Sequence, residues 1–142
     1  MGRVASFRRL DSTDRKLFLE AAVLLAAARL AIRFIPFARL AGRLGRHMAE
    51  TPPSATPVAL ETSRRVSRAI RLAARNLPWD SVCLPQAIAA KAMLKRRGVP
   101  CTLYLGVLRN EKFHAHAWVR AGGLVVTGDR GREGFTVVST FA

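Results

Sequence analysis

The chain has 142 residues, the size of one domain, and half of them are apolar, which excludes global disorder and makes a single hydrophobic core the expectation. Its formal net charge is +15, with the basic excess concentrated before residue 76 in Arg29, Arg33, Arg39, Arg43, Arg46, Arg64, Arg65, Arg68, Arg71 and Arg75. That half should meet something acidic, whether a peptide, a partner protein, a phospholipid surface or nucleic acid, and charge alone does not choose among them. Two cysteines, Cys83 and Cys101, do not make a secreted disulfide scaffold and fit a reducing cytoplasm.

The start of the chain is basic, but the apolar run from Leu17 to Ile32 comes late, carries Glu20 and Arg29, and has no small-residue cleavage signature. It reads as neither a signal peptide nor a spanning helix. A core helix is the simpler reading, and a helix lying on a membrane surface is the alternative. Asp11 to Asp14 offer N-cap side chains, so a first helix is predicted over about residues 13–34. Pro36 ends or kinks it, and a second, strongly basic helix is predicted from Phe37 to Met48. Residues 50–57 read as a Pro-rich linker. Thr62 or Ser63 then caps a third helix, with Val66, Ala69, Ile70, Ala73 and Leu77 on one face, stopped by Pro78 and Trp79.

Proline is tolerated only in the first turn of a helix, so Pro85 requires the next helix to begin within a residue or two of Cys83. That helix runs to Arg97, with Gly98 as its C-cap and Pro100 beyond. Strands are predicted from Cys101 to Leu108 and from Phe113 to Arg120, with a turn at residues 109–112. Gly122-Gly123 is a two-residue hairpin, followed by a strand from Leu124 to Gly128, a loop through Gly134 and a last strand from Phe135 to Phe141. The class is α+β: a basic helical region over residues 1–75, then one helix and an antiparallel meander over residues 76–142, with the two parts forming one folded unit.

A cysteine in the first turn of a helix sits at the positive end of the helix dipole, which favours thiolate over thiol. Cys83 is placed there, on a stripe with Ala87, Ala90 and Leu94 that faces the sheet. Alone it would read as an inert buried cysteine. His116, in the middle of an apolar strand, supplies the imidazole that nucleophilic cysteine chemistry needs, although a satisfied core histidine is its bland reading. If Ala121 opposes Leu124 across the hairpin, counting back pairs His116 with Asp129, whose carboxylate would orient the ring. A one-residue slip would instead bring Gly128 opposite His116 and leave that role to Glu133 or a backbone carbonyl. His114 is the rival base, but the same arithmetic sets Gly131 opposite it. Trp118, on the face of His116, either shields the pair or simply packs in the core. A zinc site from Cys83, Cys101, His114 and His116 has none of the usual spacings. Cys101, just after Pro100, reads as a small core residue.

The runs from Cys83 to Pro100, from Leu103 to Val107 and from Ala115 to Val119 together resemble the transglutaminase-like leader peptidases of lasso-peptide biosynthesis, over about residues 76–142. The resemblance implies a papain/transglutaminase-like core in which one helix bearing the cysteine packs on an antiparallel sheet. It implies a cysteine peptidase with Cys83 as nucleophile, His116 as general base and acid, and Asp129 as the orienting residue. No cofactor or metal is implied. The implied substrate is a ribosomally made precursor peptide whose leader is removed in the cytoplasm, and the implied partners are a separate leader-recognition protein and an ATP-dependent lasso cyclase. Two other readings stand beside it. One is an acyltransferase or transglutaminase in which an amine resolves the thioester; the other is a non-catalytic basic adaptor for a membrane surface or an acidic partner. Specific nucleic-acid binding is disfavoured, because Tyr104, Phe113, Phe135 and Phe141 read as core rather than as a stacking platform.

Overall fold

The computed structural model describes residues 8–79, 82–109, 113–130 and 132–142, and of residues 109, 113 and 114 only the backbone. Helix α1 spans Ser12–Phe34, and its N-cap Asp11 accepts a 2.7 Å hydrogen bond from the Asp14 amide. Leu17, Ala21, Leu25 and Ala28 recur every three or four residues and are buried as one stripe. The opposite face leaves Leu19, Val23, Leu30 and Phe34 exposed. Among the described residues, no helix is long and apolar enough to cross a membrane.

Helix α2 covers only Phe37–Ala41, not the predicted stretch to Met48. Tertiary pairing overrides the helical pattern here. The chain turns at Gly42 to Gly45 and runs beside the end of the last strand, where the Arg46 amide donates to the Ala142 carbonyl and the Met48 amide to Thr140. Gly45 has φ +121°, and an added Cβ would lie 2.1 Å from the Ala142 carbonyl oxygen, so no side chain fits there. Residues 50–56 have no regular structure, as a linker should, yet they are tied down. Thr51 bonds through its amide and its hydroxyl to Thr102 Oγ1, at 2.9 and 2.6 Å, and Arg120 donates to the carbonyls of Thr51 and Pro52.

Helix α3, Pro57–Asn76, starts earlier than predicted. Pro57 fits the first turn, where its missing N–H is not needed, and Thr56 rather than Thr62 or Ser63 is the cap, accepting from the Ala59 amide at 3.1 Å. Ser63 instead turns back to the Ala59 carbonyl and is buried inside the helix packing. Helix α4, Cys83–Arg96, begins where Pro85 requires. It ends in a Schellman motif: Gly98, at φ +68°, donates to the Lys95 carbonyl and Val99 to that of Leu94.

Four strands follow: β1 Thr102–Arg109, β2 Phe113–Ala121, β3 Leu124–Thr127 and β4 Thr136–Phe141, with a short 3-10 turn at Arg132–Gly134 before β4. Residues 110–112 of the predicted turn, and Gly131, lie outside the described residues. All pairs are antiparallel, but the order is β3-β2-β1-β4, so the sheet is not a meander. The last strand crosses to β1, because α3 packs along the outer side of β3 and Ser67 Oγ donates to the Val126 carbonyl at 2.7 Å. Leu103, Ala117, Val119 and Ala121 enter the core shared with Ala87, Ala90 and Leu94 of α4 and with the buried faces of α1 and α3. The architecture is therefore α+β, with helices α3 and α4 against a four-stranded antiparallel sheet and α1 packed on those two helices.

Candidate active site

Cys83 is the first residue of α4 and is half-buried, while Ala87, Ala90 and Leu94 below it are fully buried. Val82, the N-cap, supplies no side-chain hydrogen bond to the first-turn amides of this helix. The thiol opens on a cleft of about 480 Å³ whose lining also includes His116, Gln86, Thr127, Gly128 and Asp129. The cleft thus gathers the three residues that the sequence singles out, Cys83, His116 and Asp129, together with Gln86. No hydrogen bond joins Cys83 to His116 among the described residues. Catalytic contacts are commonly long in the absence of substrate and tighten in its presence.

The register between β2 and β3 departs from the simple count. Ala121 opposes Leu124 as expected, but Arg120 faces Val125 and Val119 faces Thr127, so Val126 is an extra residue on β3, a β-bulge. The shift runs opposite to the slip that would set Gly128 against His116, and it also moves Asp129 off the position cross-strand from His116. The imidazole still has a partner. His116 Nε2 lies 2.7 Å from the Gly128 carbonyl. A carbonyl only accepts, so Nε2 carries the proton and Nδ1 is the ring's free acceptor. The Asp129 carboxylate is 71% exposed and is paired with Arg132 Nε at 2.9 Å. It stands at the mouth of the same cleft, one residue from the group that holds the ring.

Gly128 itself is demanded by geometry. It has φ +76°, and a Cβ there would lie 2.4 Å from the Ala117 carbonyl oxygen and 2.8 Å from Trp118 Cβ. Gly106, opposite His116 on β1, is a second required absence: its Cβ would be 2.9 Å from Trp118 Cη2 and from Phe135 Cβ. The space so kept holds a row of rings. His116 lies 5.7 Å from Trp118 and 5.2 Å from Phe135, and Trp118 stacks on Tyr104 at 5.5 Å with 6° between planes. Trp118 is 5% exposed, so it is both a packed residue and one wall of the imidazole's surroundings. The sequence names Trp118 but not Phe135 or the two glycines as parts of the site. The alternation of β1 and the Gly-Asp pair at 128–129 are the only signals that hint at them.

The second cysteine is different in kind. Cys101 is 4% exposed, outside the cleft, and burial raises its thiol pKa. The ammonium of Lys91, itself buried, donates to the Cys101 carbonyl at 2.9 Å and lies 3.8 Å from its sulfur. Burial lowers the Lys91 pKa. This buried lysine is absent from the sequence reading, since a helix pattern gives no sign that a charged position faces inward. His114, the rival base, has its backbone opposite Leu108, and its side chain lies outside the described residues.

A family model matches the chain over residues 22–140, from α1 to the end of β4, under the description transglutaminase-like superfamily. The chain belongs to the transglutaminase-like superfamily. The match takes in the helical half as well, so the transglutaminase-like domain is wider than the resemblance read from residues 76–142. No curated protein and no solved structure matches the chain. Membership makes a cysteine-type activity, peptidase or transglutaminase, the class to expect of this transglutaminase-like chain.

Proposed function

We propose that the chain is a cysteine peptidase that removes the leader from a ribosomally made precursor peptide in lasso-peptide maturation, with Cys83 as nucleophile and His116 as general base and acid. The observation that carries it is the shared cleft, with a thiol on the first turn of α4 and an imidazole held through Nε2 so that Nδ1 is the nitrogen available to that thiol. The leader-peptidase reading adds to this the motifs around Cys83 and His116. In the first half-reaction Nδ1 takes the thiol proton and the thiolate adds to the scissile carbonyl. The imidazolium then protonates the departing amine as the C–N bond breaks, leaving a thioester on Cys83. Water attacks the thioester with His116 as base, releasing the leader acid and restoring the thiol. The amides at the start of α4, which the N-cap Val82 does not engage through its side chain, are suited to hold the oxyanion. The Gly128 carbonyl orients the ring, and the Asp129 carboxylate, when released from Arg132, adds negative charge that stabilises the imidazolium.

The reading requires partners: a leader-recognition protein that delivers the precursor, and an ATP-dependent cyclase that uses the new N-terminus, all in the cytoplasm. The test is incubation of the protein with candidate lasso-peptide precursors and a leader-recognition protein, followed by mass spectrometry. Cleavage at one bond, absent with Cys83→Ala and with His116→Ala, supports the proposal. An amine-linked product instead of a free acid would assign the site to acyl transfer. Cleavage that survives Cys83→Ala would reject the assignment of the nucleophile.

A further inference from the structure

The cleft at Cys83 does not end there. A second groove of about 370 Å³ adjoins it between α3 and β3, and the two share Ser67, Arg71 and Val125. Its α3 wall carries Arg64, Arg68 and Arg71, spaced so that one helix face is lined with guanidinium groups. Glu61 answers the first two, at 3.7 Å from Arg64 and 4.0 Å from Arg68. Arg71 is different. Its only side-chain hydrogen bond among the described residues is a 3.5 Å approach to Ser67 Oγ, and no carboxylate there lies within ion-pair distance. Ser67 is itself committed to the Val126 carbonyl, which ties the α3 wall to β3 where Arg71 lines the cleft. A continuous groove with a guanidinium that no carboxylate among the described residues answers, at the place where it meets the cleft, describes a site that an acidic extended chain would complete.

We propose that this groove binds the peptide substrate in extended form and that Arg71 reads an acidic side chain a few residues from the scissile bond. The inference rests on the peptidase reading above and names its substrate class. A planar guanidinium grips a carboxylate through two parallel N–H donors, which neither an amide nor an ammonium reproduces on the substrate side.

The test measures protection of Cys83 from iodoacetamide in the full chain by synthetic octapeptides. The peptides are otherwise alanine and glycine and differ only in carrying Asp, Asn or Lys three residues to either side of a central Ala-Gly. The Asp peptide should half-protect Cys83 at a concentration about tenfold below that of the Lys peptide, a difference of about 1.4 kcal/mol. Arg71→Glu should reverse the order, whereas Arg43→Glu, which makes the same charge change in a cavity between α1, α2 and α4, should leave it unchanged. Equal protection by all three peptides, or equal effects of the two substitutions, would overturn the proposal. The peptidase reading is judged apart from this, by the alkylation rate of Cys83 without peptide in wild type against His116→Ala. A failure there leaves the ratio among peptides still readable.

Discussion

Replacing Gly128 by alanine attacks the fold and the site through one atom. The residue has φ +76°, where an L-side chain costs about 1–2 kcal/mol. The added Cβ would also lie 2.4 Å from the Ala117 carbonyl oxygen and 2.8 Å from Trp118 Cβ, neither of which is the loose end of a flexible side chain. Relief therefore requires the segment after β3 to move off β2, an overpacking cost of about 1–3 kcal/mol. The sum is about 2–5 kcal/mol. Gly98 isolates the first contribution, because it has φ +68° but nothing within 4 Å of its would-be Cβ. Urea unfolding followed by circular dichroism should place Gly98→Ala about 1–2 kcal/mol below wild type. Gly128→Ala should fall at least about 1 kcal/mol lower still. Because the Gly128 carbonyl holds His116 Nε2, alkylation of Cys83 should slow in Gly128→Ala and not in Gly98→Ala. Equal destabilisation of the two variants, or unchanged Cys83 reactivity in Gly128→Ala, would refute the reasoning.

Other consequences concern charge. Glu20 of α1 is gripped by Arg96, the last residue of α4, at 2.7 Å and by Arg97, its C-cap, at 2.6 Å, and the hydrogen bond from Arg97 leads in lowering its pKa below the ordinary 4.5. A depressed carboxylate contributes stability that is complete above the ordinary value and is lost as pH falls through the lower folded-state value. Glu20→Gln should cost about 1 kcal/mol at pH 7, and its gap to wild type should close as urea titrations are taken below pH 4.5. At the cleft mouth, Asp129→Asn should slow iodoacetamide alkylation of Cys83 less than His116→Ala does, since the ring stays tied to the Gly128 carbonyl. A loss of Cys83 reactivity as deep as that of His116→Ala would make the Asp129 carboxylate itself the orienting group.

Much of the fold was legible in local chemistry. Asp11, Pro85 and Gly98 set the ends of α1 and α4 through capping and proline geometry, which depend on a few neighbouring residues. The same logic placed Cys83 on a first turn. What local chemistry does not carry is long-range pairing. The basic, apolar pattern from Phe37 to Met48 suits a helix, yet the chain leaves it at Ala41 to pair with the end of β4, a partner almost a hundred residues away in sequence. The path of β4 to β1 was hidden for the same reason, since a meander and a crossover share one alternation. The bulge at Val126 is invisible in a Val-Val-Thr run, and it is this extra residue that separates Asp129 from the position simple counting assigned. Cys83 and His116 stand out in the sequence because their residue types suit nucleophilic chemistry, and the fold sets both in the lining of one cleft. Gly106 and Gly128 serve the site by what they lack, and their roles emerge only once Trp118 and Phe135 are seen to fill the space.

The central claim, that His116 activates Cys83, is tested most directly by limiting iodoacetamide at pH 6 to 7 on the folded chain, with mass spectrometry resolving the two cysteines. The account predicts fast modification of Cys83 that falls steeply in His116→Ala, while the buried Cys101 stays unmodified in both. Slow modification of Cys83, or a rate the same with and without the imidazole, would contradict it.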